Sequence, residues 1–182
     1  KPNGTGTKWA NEDYETSTYY KAGEWETKYG AFGCPKGKYN NGESECKDEW
    51  HTNVNTEWFA KGSSVYIRRH LNLTAADLEK DLYVKYSHDD YFYLYIKTLV
   101  RTSNYINGHK IIDTGYSWAP NELHHITDAE KAYLHEGDNV IAVQCKNEAG
   151  GAYCDFGIYE NLKTVNPEQN IARKTSIDVI AC

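Results

Sequence analysis

The chain has 182 residues, 26 acidic side chains against 20 basic ones, and a formal charge of −6. Its basic residues are scattered, with Arg68-Arg69 the densest cluster, so nucleic acid is excluded as a partner: phosphate backbones call for a basic face. No stretch approaches the roughly 18 apolar residues that span a bilayer as a helix, and the length suits one module with a real core.

Residues 1–13 read as loose. The segment from Tyr14 to Tyr29 can supply a first strand or two, and Pro35 to Asn55 is a long polar loop. Thr56 to Phe59 leads into a strand at Ser64–Leu73, where apolar and polar residues alternate. Thr74 to Asp81 is a connection with one helical turn. Leu82–His88 is the next strand, His88-Asp89-Asp90 turns the chain, and Tyr91 to Ile96 starts another strand. Asn107-Gly108 is a hairpin turn signal, because both positions accept positive φ, and His109–Asp113 returns from it. Thr114–Pro120 reads as a loop, Glu122–Ile126 as a strand, and Asp128–Leu134 as a short helix with Thr127 or Asp128 as N-cap. Asn139–Cys145 and Tyr153–Tyr159 read as a final hairpin joined by Glu148–Gly151. In the tail, Ile177–Ile180 can add a last strand. Strands so closely spaced predict an all-β antiparallel β-sandwich of the jelly-roll kind.

Five cysteines do not pair evenly. A disulfide between Cys34 and Cys46 would close the polar loop, contributing roughly 3 kcal/mol by loop entropy. Cys145 and Cys154 sit almost symmetrically about Ala149-Gly150, so either they face each other across the hairpin or they are small buried residues. Cys182 is left over. An oxidising compartment follows, and a chain beginning at Lys1 without a signal-like segment reads as a mature secreted or cell-surface protein, or an excised module.

The order of motifs carries a resemblance. Tyr66-Ile67-Arg68-Arg69, His88-Asp89-Asp90, Tyr95-Ile96, Asn107-Gly108, Glu136 to Cys145 (Glu-Gly-Asp-Asn-Val-Ile-Ala-Val-Gln-Cys) and Gly150 to Gly157 (Gly-Gly-x-Tyr-x-Asp-x-Gly) follow in sequence. Together they resemble the galactose-binding-domain-like β-sandwich. The version concerned is the sugar-binding domain of family 2 glycoside hydrolases, also found as carbohydrate-binding modules of bacterial polysaccharide-degrading enzymes. The likeness covers about half the chain, from Ser64 to Glu160, and extends more weakly over Trp25 to Gly33. It departs at one place: Tyr95-Ile96 has the family's spacing, but Asn107-Gly108 arrives late, after a second Tyr105-Ile106. Residues 97–106 therefore look inserted, as a longer hairpin, a bulged strand or an addition.

If successive strands alternate direction, the end where Leu82–His88 finishes, here end A, collects a distinctive set. Trp58, Phe59, Asp89, Asp90, Tyr91, Tyr116, Trp118, Asn121, Glu148 and Tyr153 all fall there. Aromatic rings stack on the apolar face of a pyranose, while carboxylates and amides bond its hydroxyls. Each has a plainer reading beside this one. Asp89-Asp90 can bond backbone at the turn, Trp58 can be core or rim, and most of the 16 tyrosines can pack across sheets. Asp155 can be a satisfied structural acid. The resemblance also implies a possible structural calcium ion, for which the sequence names no ligands.

No catalytic context is present. There is no nucleophile elbow, phosphate loop or zinc motif, and His124-His125 are adjacent, so a strand points them to opposite sides. The expected function is non-catalytic binding of a polysaccharide, a plant cell-wall glycan such as xylan or β-glucan, on behalf of an appended enzyme. A structural accessory sandwich of a glycoside hydrolase, or a surface adhesin domain that binds protein, is the alternative. An exposed Trp118 favours the first and a buried one the second.

Overall fold

The computed structural model describes residues 8–10, 17, 20, 22–38, 46, 49–96, 109–160 and 180–181. Their strands are β1 (Glu26–Thr27), β2 (Phe32–Gly33), β3 (Thr56–Glu57), β4 (Ser64–Leu73), β5 (Leu82–Asp89), β6 (Tyr91–Ile96), β7 (His109–Asp113), β8 (Trp118–His125), β9 (Gly137–Lys146), β10 (Tyr153–Glu160) and β11 (Ile180–Ala181). Two one-turn helices, α1 (Ala75–Leu78) and α2 (Asp128–Lys131), bridge β4 to β5 and β8 to β9.

Two sheets pack face to face, making the all-β sandwich. One has the strand order β3-β2-β10-β5-β8 and the other β4-β9-β6-β7; β1 and β11 pair separately. The alternation along each strand sets the packing. Leu82, Val84 and Tyr86 of β5, and Phe92, Leu94 and Ile96 of β6, all point inward while their neighbours are half-buried. They meet Val65, Ile67, Ile141 and Val143 in one core. The Tyr86 ring stacks on Phe92 across the sandwich at 4.7 Å. Full burial of a side chain such as Phe92 or Ile96 contributes about 1.5–3 kcal/mol.

Several expectations change. β9 and β10 are not a hairpin: β9 pairs with β4 and β6, β10 with β5 and β2. Their connection is an arch from one sheet to the other; β9 is buried along most of its length, and β10 buries Cys154 and packs Phe156 and Ile158 partly buried against the core. Cys145 and Cys154 therefore meet between the sheets, as a disulfide with Cα atoms 6.3 Å apart. Cys34 and Cys46 form the expected disulfide, at 6.1 Å.

β8 begins at Trp118 rather than Glu122, so part of the expected loop is strand. Trp118 pairs with Asp89 and Ala119 with His88, and a register shift opposite Ser87 absorbs Pro120 and Asn121. Asn121 adopts φ 57°, and its N–H donates to the Ser87 hydroxyl at 2.9 Å. Proline disrupts the strand pattern in sequence, and the bulge accommodates it in space.

Thr127 is the N-cap of α2, in a reciprocal capping box with Glu130. The helix stops at Lys131, short of Leu134, because Leu134 turns into the core and Tyr133 stacks on His109 at 3.8 Å. At the N-terminus, residues 8–10 are not loose. Trp9 and Ala10 are buried with Trp25 against Tyr66 and Ala142, on the outer face of the four-stranded sheet. The Trp9 carbonyl accepts from the buried Arg68 guanidinium. The remaining residues of 1–13, the segment 97–106 and the Asn107-Gly108 turn lie outside the described residues, as does Ile177 to Val179; Ile180 and Ala181 pair with β1.

Candidate functional site

Strand direction places the expected set at one end. Asp89 at the end of β5 pairs with Trp118 at the start of β8 and with Tyr153 at the start of β10. Tyr91 at the start of β6 pairs with Lys146 at the end of β9. The connections after β3, β5, β7 and β9 thus converge on end A. Strand direction still alternates through the β9–β10 connection, because an arch reverses the chain as a hairpin does.

Two buried polar residues tie these connections together. The Asp90 carboxylate accepts from the Glu148 amide at 2.6 Å and the Ala149 amide at 3.2 Å. Asn147 bonds Ser63 and Gly62 through its backbone, and its side-chain amide donates to the Phe59 carbonyl at 2.9 Å. Beneath them His88 is fully buried; Nδ1 donates to the Asp90 carbonyl at 2.6 Å and Nε2 lies 3.1 Å from Glu122. Next to it the Tyr86 phenol is pushed up to about 12, by burial first and then by Glu122.

On this base stands an aromatic ridge. Trp118 is 62% exposed and Tyr116 is 55% exposed. Their ring centroids are 6.4 Å apart, Tyr116 is 5.5 Å from Tyr91, and Tyr91 lies near-parallel to Tyr93 at 6.1 Å. The Lys146 ammonium sits 5.4 Å from the Tyr91 centroid and pairs with Glu148. The Tyr116 phenol is held above its ordinary value, chiefly by the charge of Asp90, then by burial and the charge of Asp89. Exposed rings over a fixed base, with carboxylates alongside, can offer stacking and hydrogen bonding to a polyol.

The expected residues separate into two groups. Trp118, Tyr116, Asn121 and Glu148 are exposed and Tyr91 is half-buried. Asp89, Asp90 and Tyr153 are buried and support the ridge from below. Trp58 is partly buried against the main core, and its Nε1 lacks a hydrogen-bond partner among the described residues. Gly151 permits the close approach of Asp89: a Cβ there would stand 2.7 Å from its Oδ2 and 3.5 Å from the His51 ring. His51 donates from Nδ1 to the Cys34 carbonyl at 2.8 Å and lies edge-on to Tyr153.

Sequence reasoning missed Tyr93, Lys146, Asn147 and His51. Tyr93 was accessible, since it shares the face of Tyr91 by strand period. His51 left no local signal, because a polar loop brings it to the site.

The Asp90 carboxylate is taken by two amides, and among the described residues no group of three or more His, Cys, Asp or Glu side chains is placed to hold a metal ion. No family model, no curated protein and no solved structure matches this chain.

Proposed function

We propose that this chain is a non-catalytic carbohydrate-binding module whose site is the ridge Trp118–Tyr116–Tyr91. The observation that carries the reading is the exposure of Trp118 and Tyr116 side by side, on connections clamped by Asp90 and Asn147. Solvated aromatic faces on a rigid sandwich end suit the apolar face of a pyranose, and Glu148 and Asn121 supply hydrogen-bonding groups at its edge. The motif order from Tyr66 to Gly157, which resembles galactose-binding-domain-like modules, supports the same class of ligand. A soluble plant or microbial glycan such as xylan or β-glucan is the target, and the module serves an appended enzyme. Two disulfides suit a secreted or cell-surface setting. A purely structural accessory role would favour a Trp118 packed away from solvent.

The test is affinity gel electrophoresis on a panel of soluble polysaccharides, with wild type, Trp118→Ala and Tyr116→Ala. Retardation on one glycan class, weakened roughly tenfold by Trp118→Ala, is expected of an aromatic anchor. The variant should stay within about 0.5 kcal/mol of wild-type stability, as exposed substitutions do. Absence of retardation on every glycan would overturn the reading and leave the accessory or adhesin role.

A further inference from the structure

The outer face of the five-stranded sheet carries a second arrangement that the ridge does not use. Its register sets Tyr159 of β10 beside Tyr83 of β5, and Tyr83 beside His125 of β8, making a row of three rings across the sheet. Tyr83 and His125 are 4.8 Å apart with planes 30° from parallel. The next row is Gly157, Lys85 and Leu123.

Gly157 is where the side chains interlock. A Cβ there would stand 2.8 Å from Cε2 and 2.9 Å from the hydroxyl oxygen of Tyr159. The Tyr159 ring therefore lies along the strand over bare backbone, which brings its hydroxyl end to the row of Lys85.

Lys85 is half-buried at the middle of this face, on a strand flanked on both sides. Lys28, Lys38, Lys80, Lys110, Lys131 and Lys146 each pair with a carboxylate. The Lys85 ammonium has no ion pair or side-chain hydrogen bond among the described residues. In a chain of charge −6, an unmatched ammonium beside a row of rings is the exception among the described residues. The exposed Leu123 borders it on β8.

We propose that this face is a second binding surface, and that its ligand is a glycan bearing carboxylate groups, in which a uronate pairs with Lys85 while the sugar ring lies against Tyr159. Charge complementarity selects this occupant. A neutral sugar would leave the ammonium unmatched, whereas a carboxylate gains a charge-assisted hydrogen bond where the surrounding rings exclude part of the water. The surface shares the ligand class of the ridge but none of its residues, so the two stand or fall separately.

The probes are oligogalacturonate and unsubstituted xylo-oligosaccharide, each titrated calorimetrically into wild type, Lys85→Gln, Lys85→Arg, Tyr159→Ala and Trp118→Ala, after thermal melts establish that each variant is folded. Oligogalacturonate should bind wild type, weaken about tenfold in Lys85→Gln and Tyr159→Ala, persist in Lys85→Arg and Trp118→Ala, and weaken with added salt. Neutral xylo-oligosaccharide should respond only to Trp118→Ala. Failure of wild type to bind oligogalacturonate overturns the proposal, as does binding indifferent to both Lys85→Gln and Tyr159→Ala. Failure of wild type to bind the neutral ligand, with oligogalacturonate still bound, would count against the ridge and leave this proposal standing.

Discussion

Asp90 is 2% exposed, yet its carboxylate decides how the ridge is held. Two amides of the β9–β10 arch donate to a single oxygen, Oδ2. Asp90→Ala strands both donors, at about 1–3 kcal/mol each. Urea denaturation should show that loss, and Asp90→Asn, which keeps a carbonyl oxygen, should lose less. Equal losses for the two variants would mean that the acceptor is not what matters. At the opposite end of the sandwich from end A, Glu130 belongs to the same residue scale. Burial works to raise its carboxyl, but the Thr127 amide and hydroxyl, with His124 beside it, hold it below the ordinary 4.5. A carboxyl lowered in the folded chain stabilises above its unfolded pKa, and that contribution disappears as pH falls through the folded value. The melting temperature should therefore drop as acid passes below pH 4.5, and Glu130→Gln should remove part of that acid dependence at the cost of some stability at pH 7. An unchanged acid limb in Glu130→Gln would refute the assignment.

Among the elements, the β6–β7 pair is the most revealing. Ile96 lies opposite His109, so residues 97–108 are enclosed between paired strand ends. Removing 97–106 would join Ile96 to Asn107-Gly108-His109, a two-residue turn of the type that best matches strand twist. The deletion variant should fold with its core intact and with stability equal or higher, since shortening a loop lowers its closure cost by about 0.6 kcal/mol per halving. Thermal melting and amide exchange on β6 and β7 measure this; collapse of the sandwich would mean that the segment packs where the fold needs it. The one-turn helices α1 and α2 show the opposite case, elements whose place was legible beforehand although α2 ends at Lys131 rather than Leu134. Thr74 with Asp77 and Thr127 with Glu130 are capping boxes spelled out in four residues.

For the whole molecule, the bond that matters most is the one between the two sheets. Cys145–Cys154 joins the two sheets across a sequence separation of 9. By loop entropy it contributes roughly 2.5–3 kcal/mol. Replacing both cysteines with alanine should lower the melting temperature by roughly 5–12 °C, at about 2–4 °C per kcal/mol for a domain of this size. Glycan retardation at the ridge should survive, because Asp90 and Asn147 hold the arch independently. Ridge binding lost in a folded double variant would show instead that the disulfide positions the site.

Local pattern was enough for most strand positions, for the two helical turns and for which loops gather at end A. Alternation of burial, cap chemistry and reversal of direction are all written within a few neighbouring residues, and reversal is the same whether a strand returns in its own sheet or crosses to the other. Which strands pair was not written there. Asn139–Cys145 and Tyr153–Tyr159 look like a hairpin, yet one pairs with β4 and the other with β5, in opposite sheets. The β8 bulge, the burial of Trp9 and the place of His51 depend likewise on partners far along the chain. So does the unmatched Lys85, whose isolation exists only once every other strand has chosen its neighbours.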